Sequence, residues 1–222
     1  VPTELDHIAD PERALAIAYA PAATRAALTA LFQLDERFGQ IVSSTTEPMI
    51  GLMRLAWWRE ALEKLNPDSA PAEPLLRALA TTALPHGVTG AALAAIEDGW
   101  SALIDGDESE LLIPRHGRER GRNLFAAAAA ILGAADDRLP AAGEVWALAD
   151  LGFHHSRPAV RDAALARARE LARDVPSRTW PPAARPLAAL FVLAEHDSRL
   201  GGRVQGSPAR LLRILALRIT GR

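Results

Sequence analysis

Residues 47–62 read Glu47-Pro48-Met49-Ile50-Gly51-Leu52-Met53-Arg54-Leu55-Ala56-Trp57-Trp58-Arg59-Glu60-Ala61-Leu62. Proline near the front of such a run fits the first turn of a helix, where its missing N–H costs nothing. The apolar residues do not alternate as a strand would require. On a helix the adjacent tryptophans point about 100° apart, so only one can sit centrally in any one interface. Ile50, Arg54, Trp58, Ala61 and Leu65 then form one stripe, and Met49, Met53, Trp57 and Glu60 the next. Arg54 lies one turn before Trp58, where a guanidinium can stack on an indole. Arg59 stands four residues before Glu63, the spacing of a helical ion pair. A packed core helix explains all of this. The sharper reading makes Arg54, Trp57, Trp58 and Arg59 a surface for a substrate or partner.

Outward from this segment, prolines mark helix starts. Asp10-Pro11-Glu12 opens a first helix with Asp10 as N-cap, and Pro21 opens a second to about Ser43. The third spans about Glu47 to Leu65. Asn66 to Pro74 is a loop, Leu75–Thr82 a short helix, Pro85-His86-Gly87 a break, and Thr89–Ile104 a further helix. Asp105 to Asn123 reads as an exposed polar loop, acidic (Asp105, Asp107, Glu108, Glu110) and then basic (Arg115, His116, Arg118, Arg120, Arg122). Helices follow at about Leu124–Leu132, Ala141–His155, Ala159–Arg173, Pro186–Leu200 and Pro208–Thr220. Short connections favour antiparallel neighbours. The expectation is an all-α, single-domain antiparallel helical bundle over residues 1–222.

Composition supports that class. Ala and Leu, both strong helix formers, make up about a third of the chain. A net charge of -2 argues against nucleic-acid binding by general basicity. With no cysteine, disulfides, thiolate metal sites and cysteine nucleophiles are excluded. No apolar run reaches the roughly 20 residues of a membrane span, and the first residues lack the basic-then-apolar order of a signal peptide. The expected location is cytoplasmic, with peripheral contact at the inner face of a membrane as an option.

The 47–62 segment resembles a stretch found in the squalene/phytoene synthase family, loosely E-P-x-x-G-x-x-R-L-x-W-W-R-x-A-L. Asp10-Pro11-Glu12-Arg13, Ala20-Pro21 with Arg25, Gly121-Arg122-Asn123-Leu124-Phe125 through Ile131-Leu132-Gly133, and Gly143-Glu144-Val145-Trp146-Ala147-Leu148 are similar to other family segments in the same order. The resemblance implies the isoprenoid synthase type of helical bundle. It also implies chemistry in which several Mg²⁺ ions hold an allylic diphosphate, using aspartates four residues apart on two facing helices.

Those pairs are missing. On the helix before the Trp–Trp segment the expected acidic positions hold Arg37, Phe38 and Ile41. Asp35 and Glu36 are acidic but out of phase. In the second region Asp150 has His154 four residues on, not a carboxylate. Asp35 and Asp150 remain binding candidates, with no catalytic residue, no metal ligand and no cofactor assigned. Magnesium enters only if the enzyme reading holds.

Other acidic pairs have plainer readings. Asp6 and Asp10 flank the first helix as caps. Glu170 and Asp174 sit among Arg167, Arg169 and Arg173 on a solvated face. A His/carboxylate metal site from His154, His155, Glu195, His196 and Asp197 is the minor alternative to ordinary surface histidines. The basic run from Arg115 to Arg122 could bind phosphate, but an exposed loop neutralised by its acidic half is preferred. The last helix puts Leu211, Leu212, Leu215 and Ile219 on one face, with Arg210, Arg213 and Arg218 off it. Packing against the bundle is the expected use, a membrane surface the alternative.

Three functional readings follow. The first is a catalytically silent relative acting as an assembly or scaffold protein, similar to the complex I assembly branch, with a protein partner and an optional isoprenoid or lipid ligand. The second is an active Mg-dependent prenyltransferase joining two prenyl diphosphates. The third is a non-catalytic subunit of a membrane-associated complex.

Overall fold

A computed structural model describes residues 8–68, 71–104 and 109–222, with side chains absent from the description at 109 and 110. The chain is all-α, with no strand among the described residues. The α-helices are α1 (Pro11–Tyr19), α2 (Ala22–Ser44), α3 (Pro48–Glu63), α4 (Pro74–Thr82), α5 (Gly90–Ala94), α6 (Glu97–Ser101) and α7 (Ser109–Arg115). After a π-helical segment, His116–Arg122, come α8 (Asn123–Leu132), α9 (Leu139–His154), α10 (Pro158–Asp174), α11 (Arg185–Leu200) and α12 (Pro208–Thr220). Proline occupies the first turn of α1, α3, α4, α9, α10, α11 and α12. Asp10 caps α1 by accepting from the Glu12 and Arg13 backbone N–H groups.

Two helices organise the interior. α2 buries Leu28, Leu31, Leu34, Phe38 and Ile41. α9 is buried along nearly its whole length, from Ala142 to Gly152, as expected for a helix enclosed by neighbours. Aromatic edges tie the layers together. Phe32 of α2 meets Trp146 of α9 at 6.2 Å between centroids, and Phe125 of α8 meets the same indole at 5.6 Å. Phe38 meets Trp58 of α3 at 6.2 Å. Such geometries add about 0.5–1.5 kcal/mol each beyond area burial. Buried apolar side chains form one contiguous cluster from Ile8 to Leu217.

Several local expectations are corrected. The region expected as one helix, Thr89–Ile104, is two short helices, α5 and α6, separated at Ala95–Ile96. The region expected as an exposed loop is helical from Ser109 to Arg122. Pro114 stands inside α7, and the wide π turn begins two residues later, where the missing proline N–H breaks the regular ladder. In α3 the buried face is Gly51, Leu55, Trp58 and Leu62, so Ile50 and Arg54 lie outside it. In α12 the buried residues are Arg210, Ile214 and Leu217, so the leucine face expected to pack inward points to solvent. Asp6 and the acidic positions 105, 107, 108 and 110 lie outside the described side chains.

Candidate functional site

The centre of the bundle holds charge. Asp35 on α2 and Asp150 on α9 are buried and face each other across two guanidinium groups. Arg120 is 1% exposed and comes from the π-helical segment. Its Nε donates to Asp35 Oδ1 at 2.8 Å, and its Nη2 donates to Asp35 Oδ2 and Asp150 Oδ2, each at 2.8 Å. Arg13 on α1 adds a second bridge, with Nη1 3.3 Å from Asp35 Oδ2 and Nη2 3.1 Å from Asp150 Oδ1. The indole N–H of Trp100 donates to Asp35 Oδ1 at 2.9 Å.

The flat faces of the Arg120 guanidinium are also covered. Its carbon lies 4.2 Å from the Trp100 ring centroid and 4.7 Å from that of Trp146, close enough for cation–π attraction in a desolvated place. His116, one turn earlier, accepts from Arg120 Nη1 at 3.2 Å while its Nδ1–H donates to the Gly99 carbonyl at 2.6 Å. That tautomer is assigned by the partners, since an arginine N–H demands an unprotonated Nε2.

Electrostatics follow from this arrangement. Burial alone would raise the Asp35 carboxyl, but Arg120 and Arg13 outweigh it and hold it below the usual carboxylate range. Burial also opposes ionisation of Asp150, yet Arg13, Arg120 and His154 keep it well below that range. Burial would favour a neutral Arg120; the two aspartates reverse this and raise it. Burial first and Arg120 second push His116 down to about 3.

His116 therefore makes stability pH-dependent. The unfolded chain binds a proton near pH 6.5 while the folded one does not until about 3. Stability from this group is full above pH 6.5 and falls as pH drops, by at most about 1.4 kcal/mol per unit. His154 has the opposite sign. Its hydrogen bond to Asp150 raises it, so its contribution is present below 6.5 and lost as pH rises through the raised value; exposure keeps it small. Urea unfolding at pH 7, 5.5 and 4 should show a decline towards acid that His116→Gln makes shallower.

Beside the cluster lies a cavity of about 750 Å³ lined by Arg13, Asp35, Glu36, Gly39, Gln40, Trp100, His116, Arg120, Asp150, His154 and His155, among others. Arg13 Nε and Arg203 Nε are buried and lack a hydrogen-bond partner among the described residues.

The Mg²⁺ ions that the family resemblance implies would need donors that these side chains do not leave free. Magnesium needs free hard oxygens. All four carboxylate oxygens of Asp35 and Asp150 already accept from arginine N–H groups. Two fixed positive charges between them would repel a divalent cation. Glu36 accepts from the Ala9 backbone N–H, and Asp10 from Arg203 and Gln205. No group of three or more His, Asp or Glu suited to a metal occurs among the described residues. The described side chains do not fit the metals.

The candidates of the sequence separate into two places. Asp35 and Asp150 meet at the centre. Asp35, though displaced from the expected acidic positions, points inward, while Arg37 is exposed and Phe38 and Ile41 are core. Arg54, Trp57, Trp58 and Arg59 lie elsewhere, on α3. Trp58 is buried, and Trp57 meets it edge-on at 5.4 Å. Arg54 makes no cation–π contact with Trp58 among the described residues. Arg59 pairs with Glu97 and Asp98 of α6 rather than with Glu63. Arg13 and Trp100 carry no site assignment in the sequence, and His116 and Arg120 enter there only within a basic run read as an exposed loop. His116 and Arg120 stand four apart, as do Gly117 and Gly121, a helical signal inside what reads as a loop.

An all-α bundle with charge at its centre and a cavity alongside is the class the fold defines, consistent with the isoprenoid synthase type. Residues 8–112 match the family model for squalene/phytoene synthase, which supports that family for this part of the chain. Arg13 and Asp35 fall inside the match; Arg120 and Asp150 fall beyond it. No curated protein and no solved structure matches the chain.

Proposed function

We propose that this protein is a catalytically silent squalene/phytoene synthase homologue that works as an assembly or scaffold protein, of the kind that assists respiratory complex I. The observation that carries the reading is the neutralisation of Asp35 and Asp150 by Arg13 and Arg120. Carboxylates engaged in this way cannot gather the cations that stabilise a diphosphate leaving group. A partner surface is offered by α3, where Met49, Ile50, Met53 and Trp57 are each more than half exposed around Arg54. Solvent-facing apolar residues at successive helical turns mark a contact surface better than scattered ones do. The cavity beside the cluster, where Val42, Trp100, Leu103 and Leu151 adjoin the charged groups, is the place this reading gives to an isoprenoid or lipid ligand with a polar head.

Incubation with farnesyl or geranylgeranyl diphosphate and Mg²⁺ should release no pyrophosphate; release would establish the prenyltransferase instead. A deletion strain should lose assembled complex I, and Met53→Asp should reproduce the loss without lowering the melting temperature by more than about 2 °C, as expected for an exposed site. Normal complex I in the deletion strain would overturn the assembly role. A stoichiometric partner recovered from membranes alongside normal complex I would point to a subunit of another complex.

A further inference from the structure

The outward face of α12 is, like that of α3, apolar and exposed. Leu211, Leu212, Leu215 and Ile219 are 46%, 65%, 41% and 69% exposed. With Ala216 they occupy one side of the helix, roughly opposite Arg210, Ile214 and Leu217, which face the core. On a helical projection Arg218 borders one edge of the apolar stripe and Arg213 the other. Leu200 and Val204, in the segment leading into α12, are also largely exposed. From Ser198 to Arg222 the chain carries six arginines and no acidic residue.

Two of these arginines explain why the helix is held this way round. Arg210 pairs inward with Glu12 of α1 and Asp197 of α11, and Arg203 pairs with Asp10 and Glu12. Arg218 stacks on Tyr19, its carbon 4.5 Å from the ring centroid. The inner side is thus fastened by buried ion pairs, which leaves the leucine face outward. Arg199, beside Glu195 at 3.8 Å, and Arg213, Arg218 and Arg222 are exposed on the outside.

We propose that α12 docks the protein on an anionic lipid bilayer, with Leu211, Leu212, Leu215 and Ile219 entering the headgroup–acyl boundary and Arg213, Arg218 and Arg222 meeting lipid phosphates. An apolar stripe bordered by arginines is the arrangement an interfacial helix needs. Arg199, Arg203 and Arg210 are paired with carboxylates, but Arg213, Arg218 and Arg222 have no carboxylate partner among the described residues, and their charge complements a negative lipid surface rather than a mixed-charge protein surface. Among the described residues no single helix is long and apolar enough to cross a membrane, and none is required for contact of this kind. The inference is independent of whether the central cavity is catalytic.

Flotation of the full chain with vesicles tests it. Binding is expected to vesicles of phosphatidylglycerol mixed with phosphatidylcholine, and to fall at least tenfold with phosphatidylcholine alone or in 0.5 M salt. Leu212→Glu with Ile219→Glu should abolish binding while leaving the helical circular-dichroism melt unchanged. Arg213→Gln should weaken it about fivefold. Failure of the wild type to float with anionic vesicles would overturn the proposal, as would undiminished binding by the double glutamate variant. A concentration-dependent dimer that the same variant dissolves, without vesicle binding, would assign the face to a second copy. Complex I assembly that survives the double glutamate variant, in a strain where deletion abolishes it, would separate membrane docking from the assembly role.

Discussion

Arg120→Met should cost about 3–5 kcal/mol of folding free energy, the range for breaking a buried ion pair by removing one partner. The arginine is almost completely excluded from solvent and supplies three hydrogen bonds to two carboxylates. Methionine fills much of the volume between Trp100 and Trp146 but leaves Asp35 and Asp150 facing each other, with only Arg13 bridging the two and Arg203 and His154 beside Asp150. Desolvated carboxylates then either stay charged at high cost or take up protons at neutral pH. Adding Asp35→Asn removes one of the two charges and should recover a large part of the loss, so the double variant is more stable than the sum of the singles implies. Urea titrations at pH 7 measure both. A loss below about 1 kcal/mol for Arg120→Met would show that water already serves these groups.

The same cluster shows how far the sequence can be read. Most helix starts were legible because a first-turn proline and Asp10 act locally, within one turn; Pro114, inside α7, marks no start. The buried face of α3 was not. The sequence places Ile50, Arg54 and Trp58 on one stripe, but Gly51 lets α3 approach Thr45 and Ile104 closely, so the contact rotates towards Gly51, Leu55 and Leu62. Thr89–Ile104 likewise shows a single helical period, and nothing local announces the break between α5 and α6.

The absence of paired aspartates was legible by position, and the inward aim of Asp35 was not. Register along α2 depends on Phe32, Phe38 and Trp146 packing across helices, contacts that sequence spacing does not contain. Arg120 was hardest to see, because a basic run after an acidic one reads as solvent-exposed on charge alone. Its burial comes from Asp150, thirty residues away, and from Asp35, eighty-five away.

Gly121→Ala should destabilise the fold by about 3 kcal/mol or more, the upper end for overpacking, although alanine is the better helix former by about 1 kcal/mol. Gly121 of the π-helical segment lies directly against Gly143 of α9. A Cβ on either residue would fall on the other's carbonyl oxygen, and one on Gly143 would also lie 2.7 Å from Phe125 Cβ. Backbone meets backbone there, so no flexible side chain can yield, and the helices themselves must separate. Arg120 is the neighbour of Gly121, and Asp150 follows Gly143 by seven residues on the same rigid helix. Separation by even 1 Å stretches the 2.8 Å bond between them beyond hydrogen-bonding range. The steric cost and the loss of the central ion pair therefore arrive together. Gly143→Ala should behave alike, and the double variant should cost less than the sum, since the helices need to part only once. Gly202→Ala, where an added Cβ meets nothing within 4 Å, is the control and should leave stability nearly unchanged. Thermal melts of the four variants distinguish close helix contact from a general intolerance of substitution: a Gly121→Ala protein as stable as Gly202→Ala would mean that the two helices do not approach this closely.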